Sequence, residues 1–265
     1  MDRYLEIKSK DNPRYKSLVS LHDRKVAREE GKVFIEGLRL CEDALISGMI
    51  PEILALRSDK TSLGEEWKKK YPILSSCEVL VFSDALFSKL CQTVHPQGVA
   101  MVVRKQEETE DLPGCEKETC RYIVLERLQD PGNMGTIVRM ADAFAYDAVL
   151  YTSDSVDPFN EKVLRASMGS CFHIPVLSFP SSEAILSELK KKQIRSIGAH
   201  LHGKALKEAV FPKKAALWIG NEANGLCDST SDQCDILVKI EMPGRAESLN
   251  AASAASILGY LLAQG

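Results

Sequence analysis

Three short stretches put glycine, asparagine and charged side chains where apolar runs end. The first, LQDPGNMGTIVRM over 128–140, holds a tight Asp130-Pro131-Gly132-Asn133 turn entering a helix. Asn133, Gly135 and Arg139 occupy the opening turns of that helix, with Arg139 one turn beyond Gly135 on the same face. The second, LWIGNEANGL over 217–226, is an apolar strand ending in Gly-Asn and Asn-Gly turns around Glu222. The third, over 237–262, runs from an apolar strand through a loop holding Pro243, Gly244 and Arg245. It closes on Ser248-Leu249-Asn250, and an Ala- and Leu-rich helix follows. Such junctions gather backbone N–H groups and short polar side chains at one point, which suits a small ligand. A single glycine-rich turn is ordinary in an α/β protein; three in one half of a chain point to a site.

The elements that must position these loops alternate regularly. The first half predicts a helix over 13–27, strands at 32–36, 52–56, 78–82 and 98–104, and helices between them. That is an α/β unit over residues 1–105. Over 105–121 apolar residues nearly vanish, and 106–120 reads as a linker. From 121 to 265 strands at 122–125, 148–151, 174–177, 194–199, 215–219 and 236–240 alternate with helical patterns. Repeated βα units with apolar strands predict a mostly parallel sheet covered on both faces. Open sheets of this kind bind ligands at the carboxyl ends of their strands, where all three loops would lie.

Composition narrows the classes. No apolar run approaches the ~20 residues of a membrane span, and residues 1–16 lack the apolar core of a secretory signal, so the expectation is a cytoplasmic protein without a membrane partner. The eight cysteines form no C-x-x-C pair and read as scattered, buried thiols. His200 and His202 have no nearby Cys or acid to complete a metal site, so they read as strand-end or loop residues and no metal is expected. Residues 1–39 carry ten Lys/Arg, among them Arg3, Arg14, Lys16 and Arg39, against seven Asp/Glu, or +3 locally against −3 overall. A modest basic excess there is compatible with phosphate contacts. The P-loop, dinucleotide-fold and G-x-S-x-G signatures are absent, which disfavours an NTPase, a Rossmann dehydrogenase and an α/β hydrolase.

N-x-G-x-I-x-R at 133–139, I-G-N-E-x-x-G-L at 219–226 and I-x-M-P-G-x-x-x-S-L-N at 240–250 resemble, in order and spacing, the three motifs of the SpoU (TrmH-type) RNA ribose 2′-O-methyltransferases. LRASMGSCFHIPV over 164–176 is similar to that family too. The first half resembles, more loosely, the ribosomal-protein-like RNA-binding domain that many members carry. Glu241, where relatives often have Pro, and Met140, where Thr or Asn is frequent, depart from the pattern without removing a motif polar group.

The resemblance implies a fold that periodicity does not: a parallel sheet whose C-terminal segment threads a deep trefoil knot, an exception to the usual connection rules, pairing two subunits into a homodimer. It implies S-adenosylmethionine as methyl donor, with Gly220, Ile240 and Leu249, joined by Ala199, Met242 and Ser248, lining its site. Arg139, Glu222 and Asn250 match the polar active-site positions, supported by Asn133; Arg14, Lys16 and Arg39 are the candidate RNA contacts of the first domain. A guanidinium is almost never deprotonated in a protein, so Arg139 is read as a clamp on the adjacent phosphate that stabilises the forming alkoxide, with proton removal left to phosphate or water. Glu222 is either part of the chemistry or a group holding the loops together. The expected substrate is ribosomal RNA, with transfer RNA as the alternative. The rivals are a non-catalytic RNA-binding or ribosome-assembly protein and a base methyltransferase on the same fold.

Overall fold

Two sheets organise the chain in a computed structural model that describes residues 4–105, 111–208 and 210–264. They belong to two units, Met1–Glu107 and Glu108–Gly265. Of the sequence expectations, Arg3 and positions 106–110 of the linker lie outside the described residues.

The first unit contains β1 (Leu5–Ile7), α1 (Pro13–Ser20), α2 (Arg24–Glu29), β2 (Lys32–Glu36), α3 (Leu38–Ile46), β3 (Pro51–Arg57), α4 (Thr61–Lys70), β4 (Glu78–Phe82), α5 (Asp84–Leu90) and β5 (Val99–Arg104). Its sheet has the order β1-β4-β3-β5-β2, parallel among β1, β4 and β3 and antiparallel where β5 meets β3 and β2. The helix expected over 13–27 is two helices. Asp23 accepts hydrogen bonds from the N–H groups of Lys25 and Val26, so its carboxylate starts a new helix where one continuous helix would have run through. Strand β1 escaped the sequence reading because three residues are too short to show a period, although Ile7 is buried.

The second unit contains β6 (Cys120–Leu125), α6 (Pro131–Ala143), β7 (Ala148–Thr152), α7 (Glu161–Ser167), β8 (Val176–Phe179), α8 (Ser182–Lys191), β9 (Arg195–Ala205), β10 (Lys214–Ile219), α9 (Asp228–Ser231), β11 (Ile236–Lys239) and α10 (Ala251–Gln264). Every pairing in its sheet, order β11-β9-β10-β6-β7-β8, is parallel. Tyr122, Val124, Leu150, Ala216 and Trp218 face Ile185 and Leu189 of α8 in one core. The alternate residues Ile123, Leu125, Val149, Leu217 and Ile219 are buried on the opposite face, where α6 packs on β7 and α10 packs on α6 and β10.

The linker reading stops short. Leu112 is buried in the core of the second unit, the Tyr122 hydroxyl donates to the Pro113 carbonyl at 2.7 Å, and Lys117 pairs with Asp147 at 2.6 Å. The charged stretch therefore grips the second unit from Leu112 onward. Strand β9 also outruns its expected end and carries His200 and His202 within it. Its ladder with β11 jumps from Gly198 to Lys204 while β11 advances only from Leu237 to Val238. Residues 199–203 thus bow out of register.

Candidate active site

The chain winds outward through β6, β7 and β8, then returns to lay β9 and β10 on the other side of β6. That reversal leaves a crevice beyond the carboxyl ends of β6 and β10, the usual ligand position in an open parallel sheet. All three motif loops meet there.

The first loop leaves β6 and enters α6. The Asp130 carboxylate accepts from the Asn133 N–H at 2.7 Å and caps the helix, which fixes the buried Asn133 at its start. Gly135 lets α6 and α7 approach closely, because a Cβ there would lie 2.7 Å from the Val163 carbonyl oxygen. Arg139 is exposed and has no hydrogen-bond or ion-pair partner among the described residues. Met140, one of the departures, is buried against Gly259 of α10.

The second loop closes directly after β10. Asn221 and Gly225 exchange two backbone hydrogen bonds, at 3.0 and 2.8 Å. Gly220 allows this closure: a Cβ there would lie 2.1 Å from the backbone carbon of Gly225. At the tip, Glu222 accepts from the N–H of Asp130 at 2.8 Å, the N–H of Gln129 at 3.1 Å and Asn133 Nδ2 at 3.2 Å. Partial burial acts to raise its pKa, but these accepted bonds, the one from Asp130 foremost, outweigh it and hold the carboxyl below its ordinary value. Of the two roles the resemblance leaves open for Glu222, the one visible in these contacts is that of a strut joining the first and second loops.

The third loop ends at Asn250, which caps α10 by accepting from the N–H groups of Ala252 and Ser253. Its Nδ2 donates to Asn133 Oδ1 at 2.9 Å. Asn133 therefore donates to Glu222 and accepts from Asn250, a double role that an ionised aspartate could not fill. Glu222, Asn133 and Asn250, each from a different motif, form one hydrogen-bonded chain.

Beside this chain opens a cleft of about 440 Å³. Ala199, Gly220, Ile240, Met242, Ser248 and Leu249, the six expected cofactor residues, all line it. Sequence reasoning missed His200, His202, Lys239 and Glu247, which add polar groups to the same walls; the bowed segment of β9 that delivers the two histidines has no local signature. Also missed was Glu126, a fully buried carboxylate just past β6 that accepts from Ser182 and Thr230 hydroxyls and from the Cys227 N–H. It ties α8 and α9 to the strand end from which the first loop departs.

Arg14, Lys16 and Arg39 lie in the first unit, exposed and each beside a carboxylate: Glu78 at 2.7 Å, Asp11 at 3.5 Å and Asp43 at 3.9 Å. Exposed pairs of this kind are weak and leave the cations available to other anions. Burial pushes the Cys77, Cys171 and Cys234 thiols up to about 12, so these thiols stay protonated near neutral pH. Among the described residues no three His, Cys, Asp or Glu side chains group to hold a metal ion, and no helix is long and apolar enough to cross a membrane.

Residues 121–260 match the SpoU rRNA Methylase family, and residues 12–101 match the MRM3-like substrate binding domain. The 23S rRNA (guanosine(2553)-2′-O)-methyltransferase RlmP of Bacillus subtilis is 34% identical over 97% of this chain and 98% of its own length. Among solved structures, the SpoU methyltransferase AviRb from Streptomyces viridochromogenes in complex with the cofactor AdoMet superposes with a TM-score of 0.86 at 25% identity, over 96% of this chain and 97% of its own. An AdoMet-bound rRNA methyltransferase from Sinorhizobium meliloti superposes at 0.83 with 27% identity, over 98% and 97% of the two chains.

Proposed function

Since the chain belongs to the SpoU rRNA methylase family, we propose that it transfers a methyl group from S-adenosylmethionine to a ribose 2′-hydroxyl of 23S ribosomal RNA. The observation that carries this reading is the Glu222–Asn133–Asn250 chain, which locks the three motif loops together beside the cleft. The relatives named for 23S rRNA 2′-O-methylation and the AdoMet-bound neighbours support the substrate and the donor.

The cleft fits the donor. Its volume lies within the range of small-molecule sites, about 300–1,000 Å³. Ile219, Ile240, Met242, Leu249 and Leu258 offer apolar walls for an adenine ring, and Lys239 and Glu247 offer charge to an amino-acid moiety. The crowding at Gly220 brings backbone rather than a side chain to the cleft floor. S-adenosylmethionine, when bound, supplies an electrophilic methyl group on sulfonium sulfur.

The chain's own residues then have distinct tasks. Arg139, exposed and without a partner among the described residues, clamps the phosphate next to the target ribose and stabilises negative charge as it develops on the 2′-oxygen. Its pKa, above ~12, keeps it charged, so the proton leaves to phosphate or water. Asn250 and Asn133 orient the third loop, and Glu222 holds the first and second. Arg14, Lys16 and Arg39 give the first unit cations for RNA phosphates.

As a further part of the proposal, the segment from β11 into α10 threads a trefoil knot, and α10 pairs two copies. Ile257, Tyr260 and Leu261 leave an apolar face on that helix exposed, which supports the pairing. Eight free cysteines fit a reducing, cytoplasmic setting.

The test is methyl transfer from labelled S-adenosylmethionine to a 23S rRNA transcript and to bulk tRNA, with digestion to nucleosides. Label in a 2′-O-methyl nucleoside of the 23S transcript is expected. Label in tRNA alone would shift the substrate, label on a base would overturn the ribose assignment, and absence of donor binding by calorimetry would leave an RNA-binding protein.

A further inference from the structure

Two residues past β6, Arg127 adopts a left-handed backbone conformation, φ 52°, which an L side chain enters at a cost. Three hydrogen bonds hold it there. Its N–H donates to Thr152 Oγ1 at 2.9 Å, and its carbonyl accepts from Asn221 Nδ2 at 2.9 Å and Gln129 Nε2 at 3.1 Å. A glycine or asparagine would serve this turn with less strain, so an arginine here carries something the turn itself does not need. Its Nε is buried without a hydrogen-bond partner, and its side chain has no ion pair among the described residues. The position is the carboxyl edge where the loop leading to Asn133 and Arg139 departs, bonded on one side to the Asn221 turn.

Resting on the proposed function, we propose that Arg127 is a second phosphate contact for the RNA strand, distinct from the clamp at Arg139. The turn holds at the carboxyl edge of the sheet a side chain that has no ion pair among the described residues and an Nε with no hydrogen-bond partner, and a phosphate of the RNA strand would supply that partner.

The test compares R127G and R127K with the wild-type chain, using a 23S rRNA transcript, at a series of salt concentrations. Glycine removes the cation and relieves the turn, so the melting midpoint does not fall. The KM for RNA rises about 5- to 20-fold, and the slope of log KM against log salt flattens by about one contact's share. Affinity for S-adenosylmethionine, read by calorimetry, stays unchanged. R127K keeps most of the salt slope. A wild-type KM and salt slope in R127G, with the wild-type chain active, overturns the phosphate contact and leaves the proposed function standing. A fall in melting midpoint together with donor affinity makes Arg127 a scaffold residue and overturns it also. A wild-type chain that neither binds nor methylates RNA overturns both.

Discussion

Glu222→Gln separates the two roles that a motif carboxylate can have. In the folded chain Glu222 Oε1 accepts from the Asp130 N–H and Asn133 Nδ2, while Oε2 accepts from the Gln129 N–H. A glutamine keeps its oxygen for the first pair and turns an amide N–H toward the N–H of Gln129. One accepted bond is lost and two donors face each other. At this exposed position that costs about 1–2 kcal/mol, or about 3–6 °C in the melting midpoint of a unit this size. If the whole penalty reaches the alignment of Asn133 and Asn250, kcat falls about 5- to 30-fold. Because the folded-state pKa of Glu222 is depressed, its contribution to stability is fully present above the ordinary glutamate value of about 4.3 and is lost as pH falls through the folded pKa. The variant lacks that acid-side loss. Single-turnover methyl transfer and thermal melts between pH 3 and 7 measure both effects. A loss of more than about 10³-fold with an unchanged midpoint would refute the strut and assign Glu222 to proton transfer.

Arg139→Lys keeps the charge and removes the planar fork, so methyl transfer falls about 10²-fold with donor affinity unchanged; near-wild-type turnover would count against a geometric clamp. Gly220→Ala places a Cβ 2.1 Å from the Gly225 backbone and forces the turn open, at an overpacking cost of about 1–3 kcal/mol. Donor binding by calorimetry then weakens by roughly tenfold or more, and an unchanged Kd would remove Gly220 from the cleft floor. Backbone amides at 199–203 exchange faster than those of the central strands and slow when S-adenosylmethionine is added; exchange there that ignores the donor would place it elsewhere.

Much of the second unit was legible because each buried parallel strand is an apolar run and each motif loop breaks that run with Gly, Asn or Pro. Family resemblance added roles to Arg139, Glu222 and Asn250 that spacing alone could not assign. What escaped depends on partners distant in the chain. Glu126 reads as a polar residue at a strand end, yet its partners Ser182, Cys227 and Thr230 stand 56, 101 and 104 residues away. Leu112 is a single apolar residue in a charged stretch, and only the fold shows that it enters the core. The break between α1 and α2 was locally encoded by Asp23, a capping residue read as part of a continuing helix. Arg127 was invisible for another reason: a left-handed arginine carries no residue-type cue.

The bowed segment of β9 has a consequence for how long the protein survives. Strand β11 is held at the sheet edge by two short runs of pairing, with residues 199–203 unregistered between them. On the proposed function, a donor bound in the adjoining cleft would bridge that gap, and at about a hundredfold over its Kd it would add about 2.7 kcal/mol to the folded state. The sheet edge would then be the part of the unit whose integrity tracks the supply of methyl donor. With the donor scarce, this edge would be the first to open, exposing unpaired strand to proteases and to other chains. The same break in the ladder would then tie the abundance of the enzyme to the metabolic state that feeds it.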